Sequence, residues 1–133
     1  MEPSSSGPLA GRASTFITPF AGTVVVRFSD TIIGSTDRAQ VVRKPGQEPA
    51  FYIPFDDIYF EFLEKTNKVT HDPVMGTASH WRVQAMNASD ADFMSGYETP
   101  EPAAAAIARH GTFDPAKAQI VANPAEDDRH TPI

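Results

Sequence analysis

Four histidines and no cysteine set the range of chemistry open to this 133-residue chain. His71 and His80 lie nine residues apart, with Asp72 beside the first. Imidazole and carboxylate together suit zinc and other divalent ions, and the same groups can exchange protons. That spacing matches no metal-ligand motif, and thiolates are absent, so no metal and no cofactor are expected. Arg82 carries a planar fork able to grip an anion. Thr77 adds a hydroxyl, and Tyr97 an aromatic face with a polar edge, as Tyr52 and Trp81 also do. The candidate ligand-binding residues are therefore His71, Asp72, Thr77, His80, Arg82 and Tyr97. Each also has an ordinary structural use. His71 and Asp72 can satisfy turn amides, His80 and Arg82 can sit on a solvated strand face, and Trp81 is better suited to a core than to a pocket.

Other reactive groups have less behind them. Asp56, Asp57, Glu61 and Glu64 form an acidic group, but capping and solvation of a short helix account for it. No Gly-x-Ser-x-Gly elbow supports a serine nucleophile.

The elements that must position these residues centre on Thr70 to Val83. Asp72-Pro73 followed by Gly76 is turn chemistry: Pro73 presets φ, and Gly76 can take a positive φ without a Cβ clash. The turn opens into a strand over Ala78–Ala85, with Trp81 and Val83 on one face and His80, Arg82 and Gln84 on the other. Before it, Thr23–Phe28, Thr31–Gly34, Ala39–Arg43 and Ala50–Pro54 read as strands, the first two as a hairpin. One or two helical turns are expected after Asp56 or Asp57, and a short helix over Ala103–Ala108. Asn87–Asp90 reads as a loop, and Asp92–Tyr97 as a strand pairing with Ala78–Ala85. Gly111–Phe113 and Ala118–Ala122 are closing strands, while Ser14–Phe20 is expected to pack without regular structure. The fold class is mainly β: a compact single domain of six to eight short antiparallel strands with one or two short helices. Residues 1–13 read as a flexible arm, 14–122 as the domain, and 123–133 as a loose tail.

Composition bounds the function. Apolar content of 41% with nine Phe supports a folded core, and twelve Pro with eight Gly disfavour long helices. The net charge of −6, with no basic run, argues against nucleic acid and anionic membranes as partners. No apolar segment is long enough to span a bilayer. A soluble cytoplasmic protein is expected.

The order of these features resembles the bacterial family of domain of unknown function 427. The matching residues are Tyr52, Pro54, Asp56 and Asp57, then Thr70, Pro73, Gly76 and Ala78 in the turn, then Tyr97, Pro100 and Phe113. The resemblance covers roughly residues 22–122 and implies a mainly β bacterial domain without an assigned reaction. A nucleotidyltransferase label sometimes attached to the family finds no support, since no Gly-rich loop leads into a helix. Family members commonly carry Cys-Pro-x-Lys-Gly at the turn; here Asp72 and Met75 stand at the Cys and Lys positions.

Three functions follow in order. The first is binding of a small molecule or protein partner at the 70–83 turn and strand. The second is metal-assisted or acid–base catalysis by His71, Asp72 and His80. The third is a structural homo-oligomer joined through a sheet edge.

Overall fold

β-branched and aromatic runs form strands where the sequence places them, and polar Asn, Asp, Pro and Gly pairs turn the chain between them. The structure, a computed structural model, describes residues 15–125. Ten strands occur there: β1 Phe16–Pro19, β2 Gly22–Phe28, β3 Thr31–Thr36, β4 Gln40–Arg43, β5 Ala50–Pro54, β6 Leu63–Asp72, β7 Gly76–Ala85, β8 Ala88–Tyr97, β9 His110–Phe113 and β10 Gln119–Pro124. Short 3-10 turns cover Phe55–Asp57, Phe60–Phe62 and Pro102–Ile107.

All paired strands are antiparallel. A seven-stranded sheet runs β1-β4-β5-β9-β8-β7-β6, and a three-stranded sheet runs β10-β2-β3. The small sheet turns Val24, Val26, Phe28 and Ile33 onto Ile53, Trp81, Val83, Phe93, Met94 and Phe113 of the large one, forming the main core. The opposite face of the large sheet carries a second cluster: Val42, Tyr52, Ala78 and Tyr97, covered by Met75, Ala104 and Ile107. Alternation along β5 explains the split, because Phe51 and Ile53 join the first cluster and Tyr52 the second.

The mainly antiparallel β class holds, with ten strands where six to eight were expected. The extra ones have clear causes. Residues 14–20 are not irregular throughout, because Phe16–Pro19 pairs with β4. The segment before the central turn is a ten-residue edge strand, β6, pairing with β7. Asn87–Asp90 is not a loop beyond its first residue, because β8 begins at Ala88, straight after a tight turn. β10 runs to Pro124, opposite Gly22, two residues into the stretch read as tail. The helices are 3-10 turns without side-chain caps, and Ala104 breaks the alanine run with non-helical dihedrals. The arm over 1–13 and the tail from 126 lie outside the described residues.

Candidate functional site

The central turn is held by one carboxylate. Asp72 Oδ1 accepts from the backbone N–H groups of Val74 at 2.8 Å and Met75 at 2.9 Å. Its other oxygen, Oδ2, accepts from Lys44 Nζ at 2.6 Å. Asp therefore serves as an Asx turn and as an ion-pair partner at once. Burial opposes ionisation of this carboxyl, but the Lys44 ammonium and the two amides outweigh it and hold the group below the usual carboxylate range.

Lys44 stands just after β4, in the turn before β5, and its ion pair with Asp72 ties this end of the large sheet to the central turn. Next to the ion pair, Tyr52 and Tyr97 stack with ring centroids 6.4 Å apart and planes inclined by 29°. They are only 5% and 7% exposed. Burial raises both phenols above their ordinary value. For Tyr52 the neighbouring Tyr97 adds to this, and the Asp72 charge adds to it in both rings. Both therefore stay protonated and present O–H groups at neutral pH. A small cleft of about 110 Å³ opens here, lined by Lys44, Gln47, Glu48, Tyr52, Met75 and Tyr97 among others. The turn is locked from the far side, because Glu101 N–H donates to the Met75 carbonyl at 2.9 Å. Pro100 and Glu101 thus sit against Gly76, which has a φ of +109°.

The predicted residues divide between the two faces of β6 and β7. Asp72 and Tyr97 meet at the cleft. His71 and Thr77 are register partners one step away from the Asp72–Gly76 pair, so alternation turns them to the opposite face. Both are exposed, and they contact each other at 3.4 Å. His80 Nε2 pairs instead with the Thr70 hydroxyl at 2.8 Å. It lines a separate groove of about 230 Å³ with Lys68, Asp92, Ser95, Thr112 and Asp114. Burial lowers the His80 pKa, and Lys68 lowers it further, against an opposing pull from Asp92. Arg82 reaches Ser89 at 3.5 Å on the outer side of the β7–β8 hairpin. His71, Asp72 and His80 therefore face three different partners. Among the described residues no three His, Cys, Asp or Glu side chains gather where one metal ion could be held.

Lys44 is the cleft residue that sequence reasoning missed, since its neighbours Pro45 and Gly46 made it look like part of a turn. Its only signal would have been a pairing of β4 with β5 that carried it towards Asp72. Asp57, read as a helix cap, instead accepts from the Thr36 hydroxyl and from Arg38 at 3.2 Å.

An antiparallel two-sheet domain with a tyrosine-walled cleft beside a carboxylate-held turn is the class of protein these observations define. A family model described as a domain of unknown function (DUF427) matches residues 16–123, and the chain belongs to that family. No curated protein matches it.

Proposed function

We propose that this protein is a binding domain whose site is the cleft between the central turn and the Tyr52–Tyr97 stack. One observation carries the reading. Tyr52 and Tyr97, which come from separated strands and belong to the family pattern, both line this cleft; Ala78 packs in the cluster with them, and Gly76 lies against Pro100 next to Met75 of the same lining. Tertiary convergence of that kind is what a preorganised site requires, because rigid strands fix its groups before a ligand arrives. The cleft offers an ammonium, two phenol hydroxyls and the Met75 thioether over an apolar floor. At about 110 Å³ it suits one polar group of a small molecule, or a single side chain of a protein partner. Where relatives commonly carry Lys before the glycine, Met75 is buried here, and Lys44 supplies the amine from just beyond the end of β4.

The catalytic reading through His71, Asp72 and His80 has less support, because each already has its own partner. A homo-oligomer joined at a sheet edge also has less. β6 forms one edge of the large sheet, exposes Lys65 and Lys68, and is bulged between Lys65 and Val69, features that keep edges from pairing. The acidic charge argues against nucleic acid and membrane partners, and no helix among the described residues is long and apolar enough to cross a membrane. The family resemblance and a chain without cysteine favour the bacterial cytoplasm.

A fragment screen by amide NMR on the full chain tests the site. Fragments are expected to shift the Asp72–Gly76 amides in the wild type and to lose that effect in Lys44→Met and Tyr97→Phe. Hits that ignore both substitutions, or shift only residues elsewhere, would refute the assignment.

A further inference from the structure

The protein is acidic, with 17 Asp and Glu against 11 Lys and Arg, yet the fold gathers two arginines and a histidine around one cleft. It measures about 390 Å³ and lies where the first residue of β4, the last residue of β5 and the Ala108–His110 segment meet. Arg38, Gln40, Pro54, Asp56, Arg109 and His110 are among its lining residues. The pairs Pro54–His110 and Tyr97–His110 place it on the same sheet face as the tyrosine cleft, with none of that cleft's lining residues.

Three of its groups already have a partner that orients them. Arg109 has φ of +57°, a left-handed backbone that a non-glycine residue adopts only when the surroundings enforce it. The enforcement is visible. Arg109 N–H donates to the Tyr97 carbonyl at 2.9 Å, its carbonyl accepts from Phe55 N–H at 2.8 Å, and its guanidinium lies 5.3 Å from the centre of the Phe55 ring. Among the described residues no carboxylate forms an ion pair with it. Arg38 is oriented by Asp57 at 3.2 Å through one amino group, and a guanidinium has five N–H donors. His110 Nδ1 lies 2.8 Å from the Ala108 carbonyl. A carbonyl only accepts, so Nδ1 carries the proton and Nε2 is left for a ligand.

We infer that this cleft is a second binding site, independent of the tyrosine cleft, for a small organic oxyanion that also carries hydroxyl groups. The two guanidinium forks match the oxygens of a carboxylate or a phosphate ester. The Asp56 carboxylate only accepts hydrogen bonds, so a bare anion would leave it facing like charge unmatched, while His110 Nε2 is free to share a hydrogen bond with a ligand. A ligand with hydroxyls next to its anionic group satisfies both halves. The volume falls in the range of sites for small metabolites and exceeds what a free ion would fill.

Amide NMR of the full chain in Tris chloride at constant ionic strength, with glycerol 3-phosphate, glycerate and glycerol as probes, tests this. Glycerol 3-phosphate or glycerate, or both, should give saturable shifts of the Phe55, Arg109 and His110 amides, and the tighter of the two identifies the anionic group. Arg38→Gln should weaken binding about tenfold, the usual effect of losing a hydrogen bond to a charged group. Arg109→Asn should do the same, and Asn tolerates the left-handed backbone. Lys44→Met, in the other cleft, should leave the shifts unchanged. The inference fails if neither anion gives a saturable shift in the wild type, or if glycerol alone reproduces it. It fails equally if Arg38→Gln binds as the wild type does, or if Lys44→Met abolishes the effect. The wild-type and Arg38→Gln arms decide the matter even if Arg109→Asn does not fold, because the Arg38 side chain is exposed.

Discussion

Lys44 Nζ lies 2.6 Å from Asp72 Oδ2, joining two residues 28 positions apart. The pair is partly buried, and the same carboxylate caps the amides of Val74 and Met75. Asp72→Ala removes both functions, and the expected loss is about 1–2 kcal/mol, as for losing a capping carboxylate plus a partly exposed ion pair. Asp72→Asn keeps an oxygen for the amides and should lose about half of that. Urea unfolding of the two variants measures the difference. Equal losses would mean that the amide bonds contribute nothing and the ion pair alone holds the turn.

Trp81 lies in the main core, 5% exposed, edge-on to both Phe55 and Phe60 at 5.7 and 6.1 Å. Lys65 lies across its ring at 5.7 Å. Trp81→Ala should cost about 3–5 kcal/mol, the usual range for truncating a large core residue. A loss under about 1 kcal/mol with folding intact would remove Trp81 from the load of the core.

Legibility followed burial. β2, β5 and β7 announce themselves because their β-branched and aromatic residues are buried in the cores, so strand-forming chemistry is written in the residues. β6 has no such record. Its sequence Leu63–Asp72 is almost entirely exposed at a sheet edge, and only its pairing with β7 makes it a strand. The candidate site was half legible for the same reason. Asp72, Gly76 and the two tyrosines stand in local patterns of turn and strand. Lys44 reaches the cleft only through tertiary pairing, and His71 with Thr77 is turned away by a one-residue change of face that spacing alone could not fix. The Arg38–Arg109 cleft joins residues that no local pattern connects.

Acid should weaken the fold in two windows. His80 has a folded pKa below the ordinary value of about 6.5, so the unfolded chain binds its proton first. Its contribution is complete above about pH 6.5 and declines as the pH falls below that value. Asp72, also lowered, contributes fully above about pH 4 and loses its contribution as the pH falls further. Thermal midpoints measured against pH should show both declines. His80→Gln, which retains a hydrogen-bonding group for Thr70, should flatten the upper one and leave the lower intact. An unchanged upper decline in that variant would assign it to another group.

Gly76 and Gly46 make a controlled pair for the turn itself. Both have positive φ, +109° and +74°, so alanine is strained at either. At Gly46 an added Cβ meets nothing within 4 Å. At Gly76 it would stand 3.2 Å from the Glu101 nitrogen and 3.6 Å from Pro100 Cα. That nitrogen donates to the Met75 carbonyl at 2.9 Å, so yielding to the methyl disturbs the bond that locks the turn. Gly46→Ala should therefore cost about 1 kcal/mol from backbone strain alone, and Gly76→Ala about 2–3 kcal/mol from strain plus displacement. The displaced segment also carries Tyr97, so Gly76→Ala should shift the Tyr97 ring resonances while Gly46→Ala leaves them in place. Equal costs with unshifted Tyr97 signals would show that the Pro100–Glu101 contact does not brace the cleft.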